Sequence, residues 1–167
     1  MSDPDFRYCP LCATPLTKKW IDHVQRTTCP QCTFIHYPHP KLVAIAVVHQ
    51  GDTLLLGKRA IEPKKDLWSF FGGYVEQGEQ VEQAAIREVK EETNLDVQLE
   101  GLIGIYSEQG EPHVLVVYEA SILNTDIGTL STPNDEVSEL AFFPQNELPP
   151  LAFPVDHSIL RDRKKLL

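Results

Sequence analysis

Glu88, Glu91 and Glu92 lie on one helical stretch, and two of them share its apolar face. That conflict constrains the fold more than anything else in the chain. The segment from Gly73 to Leu95 reads G-x5-E-x7-R-E-V-K-E-E-T-N-L. At ~100° per residue, with Val81 as origin, Ala84 falls near ~300°, Ala85 near ~40° and Val89 near ~80°. Glu88 at ~340° and Glu92 at ~20° lie inside that arc, and Glu91 at ~280° marks its edge. Gln83 and Lys90 point the other way. Unpaired carboxylates held against a core are too costly to stand alone, so cations must meet them. Arg87, the lone arginine on this stretch, is too little to neutralise three acids. The pattern therefore points to a divalent metal and to phosphate chemistry.

A second metal signal lies at the other end of the chain. All four cysteines fall within the first 32 residues, as Cys9-Pro10-Leu11-Cys12 and Cys29-Pro30-Gln31-Cys32. A disulfide framework would be spread through a fold, whereas two C-x2-C knuckles aim four thiolates at one point, the tetrahedron Zn²⁺ prefers. Four sulfurs leave no open coordination position, so this zinc is structural. His36 and His39 are read as surface or interface histidines. A module of roughly 35 residues buries little core, so metal binding supplies most of its folding free energy. Thr14 to Thr28, with Leu16, Trp20, Ile21 and Val24, reads as a short hairpin, and Tyr37-Pro38-His39-Pro40 as a stiff linker. The expected division is residues 1–40 for ribbon and linker and 41–167 for the main domain.

In the main domain, Leu42 to His49 is a nearly continuous apolar run and predicts a buried strand. Gln50-Gly51-Asp52 marks a turn, and Thr53 to Arg59 the returning strand of a hairpin. Ala60 to Asp66 predicts a loop. Trp68 to Val75 contains Gly72-Gly73, where backbone can approach a ligand closely. The helix is expected from about Glu79 to Thr93, with strands over Val97 to Ser107, Val114 to Leu123 and Leu140 to Phe143. A polar loop is expected from Asn124 to Asp135. Asp156 is expected to cap a final helix reaching about Lys165. Alternating strands and helices with frequent hairpins predict an α/β (α+β) fold, a mixed sheet flanked by helices.

Gly73, Glu79, Arg87, Glu88, Glu91, Glu92 and Leu95 resemble the Nudix box, G-x5-E-x7-R-E-U-x-E-E-x-G-U, where U is aliphatic. Asn94 stands where the family has glycine; asparagine tolerates left-handed backbone, so the helix-ending turn should survive. The resemblance covers roughly Leu42 to Leu167 and implies an α/β/α sandwich. It also implies hydrolysis within the pyrophosphate of a nucleoside diphosphate linked to another group. Glu88, Glu91 and Glu92 would ligate Mg²⁺ or Mn²⁺, with the Gly72 carbonyl completing the shell. Arg87 and Glu79 would brace the acids, or form a plain ion pair. A further acid outside the box is common in the family, and Glu136 is the choice over Asp135 and Glu139. Which carboxylate is the base stays open.

For the substrate, a zinc ribbon ahead of such a domain resembles the NADH pyrophosphatase group. The stretch Ile105 to His113, however, does not match that group's S-Q-P-W-P-F-P-x-S. Leu151-Ala152-Phe153 is similar to a type acting on FAD and ADP-ribose. Gly72, Gly73, Trp68 and Phe153 are the candidate substrate contacts. Phe70, Phe71 and Tyr74 are further aromatics able to stack, though core packing suits most of this set better. The family also suggests a homodimer.

Two other classes stay open: a sensor that binds such a nucleotide without cutting it, and an activity on RNA caps or nucleic acid. The formal net charge of −9 argues against broad attraction to a nucleic-acid backbone. No run approaches the roughly 20 apolar residues of a membrane helix, and Met1 to Tyr8 has no apolar core. The expectation is a soluble, cytoplasmic protein acting on a small nucleotide.

Overall fold

The computed structural model describes residues 6–123 and 135–166. The expected loop from Asn124 to Asp135 falls almost wholly outside these residues. Two compact units are present, Met1–Pro40 and Lys41–Leu167.

The first unit is built on the hairpin β1 (Thr17–Ile21) and β2 (Val24–Thr28), paired from Thr17↔Thr28 to Ile21↔Val24. Its two-residue turn places Asp22 and His23 at φ of 51° and 64°. Those left-handed values match the right-handed twist of the flanking strands, and short polar side chains tolerate them best. Bridges Tyr8↔Pro15 and Thr28↔Ile35 fold the two knuckles against the hairpin.

The second unit is a seven-stranded mixed sheet between two helices. Its strands are β3 (Lys41–Gln50), β4 (Thr53–Arg59), β5 (Trp68–Ser69), β6 (Phe71–Tyr74), β7 (Val97–Tyr106), β8 (His113–Ile122) and β9 (Val137–Pro144). The helices are α1 (Val81–Thr93) and α2 (Pro154–Arg163). The order β5-β4-β3-β8-β7 contains one parallel pair, β3 with β8, running from Lys41↔His113 to His49↔Ser121.

The hairpin of β3 and β4 stays paired only at its closed end, His49↔Leu54 and Gln50↔Thr53. Beyond that the strands part, and the segment Trp68–Tyr74 fills the split. Its first half pairs with β4 (Gly57↔Ser69, Lys58↔Trp68), and its second half with β3 (Val43↔Tyr74 to Ala46↔Phe71). The chain thus changes partner at Phe70, and Gly72 and Gly73 arrive beside the centre of β3. A Cβ on Gly72 would run into the Ala44 carbonyl and the Ile45 backbone, so only glycine fits there.

Strand alternation sorts the core into two layers. Ala46, Val48, Leu55 and Phe71 face α1, where Val89 packs on them; Ala44 meets Ala84 and Ala85. Val47, Leu54, Leu56, Phe70 and Val117 face α2 through Ile159. The result is an α/β/α sandwich.

Several boundaries differ from expectation. The first helix begins at Val81 rather than near Glu79, because Glu79 is turned into the loop before it. Strand β9 extends three residues further toward the N-terminus than Leu140, since pairing with β4 from Thr53↔Pro144 to Arg59↔Val137 recruits Val137, Ser138 and Glu139. Asp156 caps α2 from its third position rather than from the N-cap itself. Phe153 holds that position, Pro154 opens the helix, and Asp156 sits in its first turn, accepting the Phe153 N–H at 3.0 Å.

Candidate active site and metal centres

Helix α1 places its acids as its periodicity demands. Glu92 is buried, the Glu88 side chain is 15% exposed and Glu91 is 55% exposed. Asn94 ends the helix with φ of 61°, its N–H bonded to the Lys90 carbonyl, so asparagine does the work of a left-handed terminator.

Arg87 contacts more acids than its isolation on the helix suggests. Its Nε and Nη2 donate to the two oxygens of Glu79 at 2.8 and 3.0 Å. Its Nη1 donates to Glu88 at 2.7 Å and to Glu91 at 3.2 Å, and Nη2 also reaches the Tyr74 carbonyl at 3.1 Å. One guanidinium thus ties three carboxylates to the β6 backbone, because its planar fork offers donors in several directions. Glu79 in turn accepts the Glu76 N–H at 3.0 Å. Hydrogen bonding to Arg87 holds Glu79 down at about 2.

Glu92 has a different environment. Burial pushes its carboxyl up to about 8, reinforced by the charges of Glu88 and Glu136 and opposed by the Gly72 N–H and the charge of Arg59. Burial also raises Glu88, against the pull of Arg87. Three carboxylates, Glu88, Glu92 and Glu136, therefore sense one another across the helix and the start of β9. Glu136 lies just before that strand, its carbonyl accepting the Ala60 N–H at 2.7 Å. Carboxylates crowded in this way, with Glu88 and Glu92 both raised, suit a hard divalent cation, which would relieve the repulsion.

Gly73 is needed for a reason its sequence context conceals: a Cβ there would collide with the Glu88 carboxylate. The Gly72 N–H is directed at Glu92.

Of the candidate substrate contacts, Trp68 packs edge-on against Phe143, ring centroids 4.7 Å apart. Its backbone pairs with the segment leading to Phe153: Ala152 N–H donates to the Trp68 carbonyl at 2.7 Å. Phe153 lies under the Arg59 guanidinium, 5.2 Å from Cζ to ring centre. Phe70 and Phe71 are core residues, while Tyr74 is exposed, its hydroxyl 3.2 Å from Nε2 of His113. Arg59 escaped the sequence reading. It closes an apolar strand, and only the folded chain shows its charge acting on both Glu92 and Asp156. Asp156 is pushed up to about 6 by burial, despite the Phe153 N–H.

Among the described residues two sets of His, Cys, Asp or Glu gather potential ligand atoms within 4.8 Å of one another, and Glu88, Glu91, Glu92 and Glu136 are not one of them. In the first unit, Sγ atoms of Cys9 and Cys32 and of Cys12 and Cys29 are 3.5 Å apart, and Cys12 and Cys32 3.8 Å. A tetrahedron of sulfurs about 2.3 Å from zinc has edges of about 3.8 Å. The N–H groups of Leu11 and Gln31 point at Cys9 and Cys29 at 3.4 Å, the geometry that stabilises thiolates in a knuckle. Thr14 draws Cys12 down to about 6. The donor set fits Zn²⁺. The other set is His49, Glu100 and Glu119, where Arg163, 4% exposed, already holds both oxygens of Glu119 at 2.6 Å. These residues come from four separate elements, so no local motif announces them.

The family described as NUDIX domain matches residues 39–162, and that described as Nudix N-terminal, a zinc ribbon, matches 7–38. The chain belongs to the NUDIX domain family. Among Nudix relatives, an ADP-ribose pyrophosphatase of Methanocaldococcus jannaschii is 38% identical over 128 residues, 75% of this chain and 74% of that one. A NAD-capped RNA hydrolase NudC of Pseudomonas aeruginosa is 32% identical over 155 residues, 93% of this chain. The chain spans only 53% of that protein's length. A NUDIX hydrolase of Nitrosomonas europaea has the same fold, with a TM-score of 0.85 and 28% identity over 96% of this chain and 93% of that one. Nudix enzymes use divalent metals, and no helix among the described residues is long and apolar enough to cross a membrane.

Proposed function

We propose that the protein is a divalent-metal-dependent pyrophosphatase acting on a nucleoside diphosphate linked to another group, with ADP-ribose the favoured substrate and AMP a product. The reading rests above all on Glu92: a buried carboxyl beside Glu88 and Glu136, held by the Gly72 N–H while Arg87 is engaged by the other acids. A buried acid of this kind has no structural use that a leucine would not serve better. Glu88, Glu91, Glu92, Glu136 and the Gly72 carbonyl would hold Mg²⁺ or Mn²⁺. Such an ion would neutralise the diphosphate and make a water acidic enough to attack phosphorus.

The chain's own residues do the rest. Arg87, locked by Glu79 and the Tyr74 carbonyl, orients Glu88 and Glu91. Gly73 lets the Glu88 carboxylate lie against the sheet. Arg59 directs a positive charge toward Glu92, with Phe153 stacked beneath it, and Trp68 pairs with the neighbouring Lys58 and with Leu151. Phe153 and Trp68 would flank the nucleotide, and residues 1–40 would serve as a zinc ribbon with linker beside a hydrolase domain over 41–167.

ADP-ribose is favoured because the relative named for it matches three-quarters of both chains. An NAD-capped RNA is the second reading, since the relative named for that activity aligns across the ribbon as well. Incubation with Mg²⁺ or Mn²⁺ and ADP-ribose, NADH, FAD, a diadenosine polyphosphate and NAD-capped RNA, followed by mass analysis, decides between them. AMP from ADP-ribose is expected. Tight binding of ADP-ribose without turnover of any compound would favour a sensor and sink the hydrolytic reading.

A further inference from the structure

One buried acid of the larger unit lies outside the Glu88–Glu92 cluster. Asp156, in the first turn of α2, is 3% exposed. A carboxylate at a helix N-terminus ordinarily keeps its charge in water, where it caps without losing hydration. Here Oδ2 accepts the Phe153 N–H at 3.0 Å from within the protein. Burial raises the carboxyl, while the Phe153 N–H, His157 on the same helix and Arg59 at the end of β4 favour its ionised form. Capping alone does not require a carboxylate at this depth. An asparagine would accept the same N–H without burying a charge.

Phe153 joins Asp156 to Arg59. As the N-cap of α2 it has extended backbone, φ −120° and ψ 140°. That conformation is fixed on one side by Asp156 and on the other by Ala152, whose N–H donates to the Trp68 carbonyl at 2.7 Å. The Phe153 ring lies beneath the Arg59 guanidinium, 5.2 Å from Cζ. Arg59 is anchored at its edge by Nε, which donates to the Pro63 carbonyl at 2.8 Å. Among the described residues no hydrogen bond occupies its Nη1 or Nη2. The guanidinium is thus held by edge and face, and its two terminal nitrogens are left to an incoming anion. Its charge acts on Glu92 and on Asp156, one on each of the helices that sandwich the sheet. Glu92 alone would draw it toward α1, and Asp156 balances that pull from α2.

On the diphosphate reading of the site, we propose that Asp156 is a positioning residue: its charge and its bond to Phe153 hold the Arg59 guanidinium where Nη1 and Nη2 meet the diphosphate. Loss of that charge frees the guanidinium to follow Glu92. Glu88, Glu91 and Glu92 stay in place, so ground-state binding weakens while the chemical step is kept.

Asp156→Asn keeps the size and the oxygen that accepts the Phe153 N–H but removes the charge. With ADP-ribose and Mg²⁺ at pH 8, its KM should rise roughly tenfold, the effect of losing one charged partner, while kcat stays within about twofold. Calorimetry with ADP-ribose and no added Mg²⁺ or Mn²⁺, where Arg59 is left to meet the diphosphate, should show the same loss of affinity. Thermal unfolding at pH 8 separates positioning from capping. Burial pushes the carboxyl up to about 6 from its ordinary 3.8, so native stability falls as pH rises through that interval. Asparagine escapes this loss, and the variant should melt no lower than the parent while binding substrate more weakly. In the parent without substrate, the Arg59 side-chain carbon Cζ, followed by NMR, should show an inflection near pH 6 that Asp156→Asn lacks.

Unchanged KM and affinity in the variant, a fall in kcat at constant KM, or an Arg59 inflection that persists without the Asp156 carboxyl would each overturn the proposal. So would a variant that melts below the parent, which would mark Asp156 as a cap and nothing more. ADP-ribose bound by the parent but left uncut would sink the pyrophosphatase reading alone, since the affinity loss and the inflection would still uphold Asp156.

Discussion

Replacing Glu92 by glutamine should make the metal-free protein more stable while removing its activity. In the folded chain the carboxyl is pushed up to about 8, whereas in the unfolded chain it titrates near its ordinary 4.5. An acid raised on folding holds its proton more tightly in the native state, so native stability falls as pH rises from about 4.5 to about 8 and levels off above that. The slope is about 1.4 kcal/mol per pH unit, and by pH 7 the deficit reaches about 3 kcal/mol. Glutamine has nearly the same volume, can accept the Gly72 N–H through its oxygen and carries no charge, so it abolishes this deficit. At pH 7 the variant should be more stable by up to about 3 kcal/mol, or roughly 10 °C in melting temperature, with the gain vanishing near pH 4.5. Urea and thermal unfolding at several pH values measure it, in buffer free of Mg²⁺ and Mn²⁺ and without chelator, so that the cysteine centre keeps its metal. Added Mg²⁺ should stabilise the parent and leave the variant unmoved, reversing the order. A variant less stable than the parent at pH 7 without divalent ions, or a gain independent of pH, would refute the reasoning.

Other perturbations probe the surrounding structure. Glu79→Gln removes the carboxylate that clasps Arg87, and hydrolysis should fall about 10- to 100-fold with a higher metal requirement. Because Arg87 holds Glu79 at about 2, that pair should persist in the parent down to strongly acidic pH, which the chemical shift of its side-chain carbon would follow. Gly73→Ala drives a methyl into the Glu88 carboxylate and should cost at least tenfold in kcat, read by steady-state kinetics, whereas Gly101→Ala, with open space around its Cβ, should be silent. Arg163→Met leaves the half-buried Glu119 without its bidentate partner and should destabilise the fold by about 3 kcal/mol in urea unfolding; a loss below 1 kcal/mol would show that His49 compensates.

Much of the site was legible because its logic is helical. The 3.6-residue period alone places Glu88 and Glu92 inward and Glu91 at the rim, and spacing alone brings the four cysteines together. Asn94 was readable for the same local reason. What stayed hidden depends on partners distant in the chain. The three-acid grip of Arg87 needs Glu79 folded back from the preceding loop, and the influence of Arg59 on Glu92 joins two elements distant in sequence. Strand β9 looked shorter than it is because its first residues, Val137 to Glu139, owe their extended conformation to β4 rather than to their own composition. Asp156 was legible as a capping acid, but not its place: Pro154 fixes the helix start two residues earlier, so Asp156 accepts the Phe153 N–H from the first turn. Trp68 shows the converse: a residue suited to stacking on a ligand also packs on Phe143.

The single parallel pairing of the sheet bears on how the larger unit assembles. Lys41 and His113, at one end of the β3–β8 ladder, are 72 positions apart (41 to 113), and the intervening chain contains α1 and the split-filling segment. Closing so long a loop demands a large entropy loss before any ladder bond forms, which places this unit among slow-folding topologies, in milliseconds to seconds. Once closed, the loop binds helix, glycine pair and central strands into one cooperative block. The acidic cluster therefore cannot loosen piecemeal; a refolding experiment should recover nucleotide turnover and sheet signal with a single time constant.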